Sequence, residues 1–143
     1  MCRVDRRNES HLPSVLLRHR APRGSHHDWL LADPNVPDAA LWAGRVRLHS
    51  RHWRSLRGWY VQQIAPHRRR YLTYEGDLGG ERGTVERVDE GTFVTRQWEP
   101  DRILIDLTMA HCRGLVLLRR VGVQRWWAKV VAPPSAKTLC GYD

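Results

Sequence analysis

Short apolar segments recur along the whole chain, and polar turn residues separate them. In one segment Ile103, Ile105 and Leu107 alternate with Leu104 and Asp106, which is the two-residue period of a half-buried strand. No segment carries an apolar stripe of 3.6-residue period over three turns. The pattern therefore predicts about eight β-strands and no long helix.

This organisation favours a β-barrel or a sandwich, and we favour the barrel. We predict an all-β fold, a single closed or nearly closed antiparallel β-barrel of about eight strands over residues 14–132. A flexible leader at residues 1–13 and a flexible tail at residues 133–143 would flank it. The stretch "RAPRGS" predicts a hairpin with a fairly long loop, and "GTVERV" and "GTFVTRQW" predict two separate strands. A chain of 143 residues is long enough for one domain with one core.

The net charge narrows the class of partner. Lys and Arg total 24 against 15 acidic residues, a formal charge of +9, which favours nucleic acid. Arg greatly outnumbers Lys and suits bidentate contact with phosphate. A general bias toward Arg is the alternative explanation, since the arginines are spread along the chain.

Other chemistries and compartments are disfavoured. Cys2, Cys112 and Cys140 are odd in number and lack CxxC spacing, which argues against a disulfide framework and a thiolate zinc site. No apolar run approaches the roughly 18 residues of a membrane span, and no signal sequence is apparent. We expect a soluble, cytoplasmic protein with no membrane partner.

The first candidate site lies in "HHDWLL". Residues i and i+2 of a strand share a face, so His26 and Asp28 lie side by side while His27 points away and is no ligand. If the preceding strand pairs back as a hairpin, His19 joins them. Two imidazoles and a carboxylate suit zinc, manganese or iron with open coordination positions. The alternative is that these residues only decorate a basic surface.

The second candidate site lies in "HRRRYLTYEG". His67 and Tyr71 can hold or protonate phosphate oxygens, and the three arginines between them can neutralise charge: Arg68, Arg69 and Arg70. A basic loop before a strand is the simpler interpretation. The glycines that follow do not fit a phosphate-binding loop and predict a turn. Glu75 is a candidate to hydrogen-bond a metal-binding histidine, or to support the metal without binding it directly.

Together these motifs resemble the 3′-phosphoesterase domain of bacterial DNA ligase D, and its small stand-alone relatives more closely. The resemblance runs from about Val15 to about Val131. It rests on His19, on the His-x-Asp of "HHD", on the His, Tyr and Glu-Gly of "HRRRYLTYEG", and on "RGTV" and "DEGTF".

The resemblance implies a β-barrel whose interior holds a manganese site, with zinc as the alternative ion. His19, His26 and Asp28 correspond to the family's metal ligands, and His67 and Tyr71 to its further active-site residues. Such domains remove a 3′-terminal ribonucleotide and then the 3′-phosphate from DNA ends during end-joining repair. A ligase or polymerase would act with this chain in trans.

Three departures from the family pattern bear on activity. Six residues separate His19 and His26 where the family has five, and Leu30 stands where the family has Arg. The family's phosphate-binding Lys has no counterpart. The candidate replacements are arginines: Arg45, Arg47, Arg51 and Arg54. An active phosphoesterase, a related enzyme for a small phosphorylated metabolite, and a non-enzymatic module that binds metal or nucleic acid therefore all remain open.

Overall fold

The computed structural model describes residues 10–47 and 58–134. These residues form nine strands and one short 3-10 helix at Arg69–Leu72. The strands are β1 (His11–Ala21), β2 (Gly24–Leu31), β3 (Leu41–Val46), β4 (Trp59–His67), β5 (Gly76–Asp77), β6 (Thr84–Glu99), β7 (Arg102–Met109), β8 (Arg113–Gly122) and β9 (Arg125–Ala132). In the described part of the chain, no helix has the length and apolar character to cross a lipid bilayer.

Eight of the strands form a ring-like antiparallel sheet. Their order is β1-β2-β3-β4-β9-β8-β7-β6, and β1 pairs with β6 to complete the ring. The two-residue strand β5 pairs with the start of β6. The prediction of an all-β fold with about eight antiparallel strands is confirmed.

Two local predictions were wrong. Ala21 pairs with Gly24, so the first hairpin turns through two residues and has no long loop. The segments predicted as two strands form one 16-residue strand, β6. The turn signal of Asp89 and Glu90 misled the prediction, because the Asp89 carboxylate bonds to backbone N–H groups of another turn.

The predicted leader and tail fall mostly outside the described residues, which exclude 1–9 and 135–143. Strand β1 begins at His11, so residues 11–13 of the predicted leader are strand and pair with β6. At the other end, β9 ends at Ala132, the last residue of the predicted barrel.

The main hydrophobic core fills the inside of the ring. All eight ring strands contribute to it, as strand alternation requires. Trp29 lies fully buried there, and its indole N–H donates to the hydroxyl of Ser14 at 2.9 Å. Trp126 similarly donates to the side-chain oxygen of Gln63 at 3.0 Å. These two indole rings therefore enter the core with their polar N–H groups hydrogen-bonded.

A second, smaller core lies on the outer face of β1, β2 and β3. Its buried members are Val15, Leu17, Leu30, Ala32, Leu41 and Ala43, and Ile64, Tyr71 and Leu72 pack against them. The segment 68–83, here called the covering segment, supplies Tyr71 and Leu72. Arg87 on β6 anchors it by donating to the carbonyl of Leu72 at 2.8 Å.

Glycine closes the covering segment onto the first hairpin. Gly83 has a φ of 95°, and a Cβ atom there would lie 1.9 Å from the carbonyl oxygen of Arg20. No other residue allows this backbone approach without movement. The prediction that this glycine-rich stretch is a turn with positive φ is confirmed.

Candidate metal centre

The three predicted metal ligands lie together on the first hairpin. His19 of β1 is the cross-strand partner of His26 of β2, and Asp28 follows two residues later on the same face. Their ligand atoms all lie within 4.8 Å of one another. The rings of His19 and His26 meet edge to face, with centroids 4.6 Å apart. The two-strand geometry predicted for these three side chains is therefore confirmed.

The site lies on the outer face of the ring, and the expectation that it occupies the interior was wrong. Asp28 shares its face of β2 with Leu30, which belongs to the second core. Trp29 and Leu31 point the other way, into the main core. The interior is filled by apolar side chains from all eight strands, so the polar cluster lies outside it.

Asp28 is the centre of the cluster. The residue is only 3% exposed, yet three cationic or titratable side chains surround its carboxylate. Oδ1 accepts a hydrogen bond from His26 Nδ1 at 3.0 Å and lies 3.5 Å from Arg45 Nε, and Oδ2 lies 3.6 Å from His67 Nε2. Burial alone would raise the pKa of Asp28, but the contact with His67 and the charges nearby outweigh it, and the pKa is lowered. Asp28 is therefore an anion at neutral pH.

The two closest histidines are shifted in opposite directions. Burial lowers the pKa of His26, and the charges of Arg45 and His19 add to this effect. The contact with Asp28 raises the pKa of His67, against the opposing effect of burial. Compared with an ordinary histidine, His26 is shifted toward the neutral form that ligates metals, and His67 is shifted toward the protonated form that donates to an anion.

Backbone carbonyls fix two of the rings. Nε2 of His19 donates to the carbonyl of Arg82 at 2.8 Å, which leaves its Nδ1 as the lone-pair nitrogen. Nδ1 of His67 donates to the carbonyl of Ala65 at 3.0 Å, so its Nε2 faces Asp28. A hydrogen bond on the far nitrogen is the usual arrangement around a metal-binding histidine.

The cluster fits a divalent ion in donor type and in spacing. A buried carboxylate and a histidine with lowered pKa are the donor types that zinc and manganese accept. Two ligand atoms on opposite sides of an ion lie roughly 4.2 Å apart, given bond lengths of about 2.1 Å. The 4.8 Å limit of the cluster is slightly wider, so small side-chain rotations would close the donors around an ion.

A cavity of about 440 Å³ opens beside the cluster. His19 and Asp28 line it on the hairpin side, and His67, Arg68, Arg70 and Tyr71 line it on the other. The rings of His67 and Tyr71 lie 5.8 Å apart, and the guanidinium of Arg70 stands 4.6 Å from the ring of Tyr74. The cavity therefore combines two of the three possible metal ligands with cations and hydrogen-bond donors.

Not every predicted site residue reaches this cavity. The guanidinium of Arg69 donates to the carbonyl of Pro37, and Glu75 accepts from the backbone N–H of Arg87 at 3.2 Å. Among the described residues, Glu75 therefore pairs with Arg87 and is not part of the metal-ligand cluster. Arg47 lies on neighbouring surface cavities, and Arg51 and Arg54 lie outside the described residues.

Sequence reasoning missed two features: the hydrogen bond from His19 to the Arg82 carbonyl, and the complete burial of Leu30. The Arg82 carbonyl orients His19, and no sequence pattern signals a backbone contact between residues 63 positions apart. Leu30 is fully buried in the second core, so the family's Arg would not be accommodated there. Arg45 is the one candidate arginine that the structure brings into contact with Asp28, among the residues it describes.

No protein-family model and no curated protein sequence matches the chain. The similarity to the ligase D 3′-phosphoesterase domain therefore rests on the motifs quoted above and remains a prediction.

Proposed function

We propose that the chain is a metal-dependent phosphoesterase, a divergent stand-alone relative of the ligase D 3′-phosphoesterase domain, acting on the 3′ ends of DNA. The observation that carries the proposal is the shared cavity: His19 and Asp28 of the His19–His26–Asp28 cluster line the same space as His67 and Tyr71. Two motifs separated by about 40 residues of sequence would have no reason to converge on a merely basic surface. In this proposal the ring-like sheet is the family's β-barrel.

The cluster supplies the metal site. His19, His26 and Asp28 would hold a divalent ion, for which we propose manganese, with zinc as the alternative. When bound, such an ion polarises a phosphoryl oxygen or lowers the pKa of a bound water. The open cavity leaves room for a phosphate beside His19 and Asp28.

The remaining residues bind and orient the phosphate. His67, whose pKa is raised, donates a proton or a hydrogen bond to a phosphate oxygen. The Tyr71 hydroxyl donates a second hydrogen bond. Arg68 and Arg70 line the cavity and compensate the phosphate charge. Arg45, 3.5 Å from Asp28, takes the place of the family's missing phosphate-binding Lys.

The test is release of inorganic phosphate from a primer-template with a 3′-phosphate, in the presence of Mn²⁺ and then Zn²⁺. The matched pair is His26→Ala and His27→Ala, because these neighbours lie on opposite faces of β2. We expect His27→Ala to retain activity and His26→Ala to lose roughly a hundredfold or more. A second substrate with a terminal ribonucleotide reports the other family activity. Absence of turnover by the wild type with every divalent ion would reject the proposal.

A non-enzymatic module is the second candidate. The burial of Leu30 favours it, because the family's Arg at this position has no space here and lost phosphate contacts can remove most of the rate. In that case the chain would bind metal and DNA without releasing phosphate. DNA binding that weakens steeply with salt and persists in His26→Ala would identify this alternative.

A further inference from the structure

A row of cross-strand partners leads away from the candidate metal centre on the outer face. Asp28 pairs with Arg45 on β3, Arg45 with Gln62 on β4, and Gln62 with Arg125 on β9. Neighbouring strands lie about 4.8 Å apart, so the row extends roughly 14 Å from Asp28. It connects the metal centre with a different part of the surface.

An aromatic pair stands at the far end of this row. Tyr60 of β4 is the cross-strand partner of Trp127 of β9, and their ring centroids lie 4.7 Å apart. Tyr60 is 53% exposed, although solvent exposure of a large ring is unfavourable. Gly58 lies against the Trp127 ring, where a Cβ atom would approach to 2.3 Å. The pair is therefore held by its neighbours while one side remains open.

Positive charge accompanies the aromatic rings. The guanidinium of Arg125 lies 4.1 Å from the centroid of Tyr60. A cavity of about 670 Å³ joins the two rings to Arg45, Arg47 and Arg125, and no acidic residue is among the described residues that line it. We call Arg45, Arg47, Tyr60, Arg125 and Trp127 the aromatic-arginine strip.

We propose that the aromatic-arginine strip binds single-stranded nucleic acid and directs its 3′ end to the metal centre. Aromatic platforms beside a positively charged groove are how proteins hold single strands without reading sequence. Arg45 belongs to both regions, since it lines the strip's cavity and contacts Asp28. The row of about 14 Å accommodates about four stacked nucleotides at roughly 3.4 Å each, and fewer if the strand is extended.

Binding of the strand is independent of the proposed enzyme, whereas delivery of the 3′ end rests on the proposed function. An acidic protein partner would also meet the arginines. Such a partner would not need a half-open, edge-to-face pair of aromatic rings beside the arginines. Single-stranded nucleic acid satisfies both the charge and the exposed rings, so it is the occupant that we infer.

The experiment is fluorescence anisotropy with a labelled single-stranded 12-mer that ends in a 3′-hydroxyl, in EDTA. Under these conditions neither metal nor turnover contributes to binding. We expect Tyr60→Ala and Trp127→Ala each to weaken binding at least fivefold, the smallest loss expected for one missing stack. Trp127→Phe keeps a stacking ring and should retain most of the affinity, which separates stacking from a folding defect. Affinity should rise with oligonucleotide length up to about four nucleotides and then level off.

The contribution of charge to binding is tested by two variants that each remove one arginine, and therefore the same formal charge. Arg125→Ala should reduce the slope of log affinity against log salt by about one. Arg113→Ala, at the other end of the sheet beside the carbonyl of Met109, should leave affinity and slope unchanged. Equal losses in the two arginine variants, aromatic variants that bind as the wild type does, or displacement of the DNA by polyglutamate as effectively as by unlabelled DNA would each overturn the inference.

The outcome also separates this inference from the proposed function. Binding that depends on Tyr60 and Trp127, without phosphate release under any metal, would reject the enzyme and leave the strip as a nucleic-acid surface. Phosphate release from a 3′-phosphorylated DNA that is indifferent to Tyr60→Ala and Trp127→Ala would retain the enzyme and reject the strip.

Discussion

Two carboxylates are buried among the described residues, Asp28 and Asp89, and their surroundings differ in kind. Asp89, 4% exposed, accepts backbone N–H groups from Ala110 at 2.9 Å and His111 at 3.0 Å. Asp28, 3% exposed, is met by His26, Arg45 and His67, side chains that can move or titrate. Backbone donors fix a carboxylate for structure. Mobile side chains beside a cavity leave a carboxylate available to a ligand, which makes Asp28 the candidate for chemistry.

The largest effect on stability should come from a charge introduced into the second core beside Asp28. Leu30 lies two residues further along the same face of β2 and is fully buried. Leu30→Arg restores the family's residue but buries an unpaired charge, so we expect a loss of about 3–5 kcal/mol in the free energy of unfolding. Urea unfolding followed by tryptophan fluorescence measures it.

The control for Leu30→Arg is Val131→Arg. Val131 lies on β9, and 43% of the residue is exposed. Its replacement should change stability by no more than about 0.5 kcal/mol. Equal stability of the two variants would mean that the second core beneath the site is not closed.

Asp89→Ala should destabilise the protein by about 2–3 kcal/mol, because it leaves buried backbone N–H groups without their acceptor. Metal affinity at 25 °C should not change in this variant, since Asp89 does not belong to the His19–His26–Asp28 group. Unfolding by urea and a metal titration on the same sample check both statements. Loss of metal binding in a folded Asp89→Ala protein would remove the distinction between the two carboxylates.

A smaller effect concerns the pKa of His67. The contact with Asp28 raises it, so in metal-free protein Asp28→Asn should lower the pKa of His67, as followed by NMR titration of its ring protons. Asp106→Asn, which removes the partner of Arg96 at 3.2 Å, is the control and should leave His67 unchanged.

The sign of the pH dependence follows from the same pair. Because the pKa of Asp28 is lowered on folding, Asp28 contributes stability at pH values above 3.8, the pKa of its unfolded state. Because the pKa of His67 is raised on folding, His67 contributes stability that is complete below pH 6.5 and is lost as the pH rises through its pKa in the folded protein. The destabilisation caused by Asp28→Asn should therefore be greatest between about pH 4 and 6.5 and smaller at higher pH. A constant destabilisation across this range would contradict the ion pair.

The strand pattern predicted some parts of the site and not others. Alternation within β2 placed His26 and Asp28 on one face, and hairpin pairing brought His19 beside them, because both rules are local. Alternation does not say which face of a strand points into a ring. Trp29 and Leu31 settle this by filling the interior with larger apolar side chains than the opposite face carries.

The covering segment could not be predicted in the same way. Its path depends on long-range contacts, such as Arg87 with Leu72 and Gly83 against Arg20, that have no sequence period. Glu75 was expected near the metal but contacts Arg87, while Arg45 was one of four candidates until the pairing with Asp28 selected it. Residues on regular strands were thus predictable from alternation, whereas the cavity residues of the covering segment, such as Tyr71, were reached only through the motif and the resemblance.

The most direct test is a titration of the metal-free protein with Mn²⁺, followed by isothermal titration calorimetry, on the wild type and on Asp28→Asn, His26→Ala, His27→Ala and Asp89→Asn. We predict one ion per chain for the wild type, His27→Ala and Asp89→Asn. Asp28→Asn and His26→Ala should bind at least tenfold more weakly. Equal binding by all five proteins, or no binding by any of them with either Mn²⁺ or Zn²⁺, would contradict a metal centre on the outer face of the first hairpin.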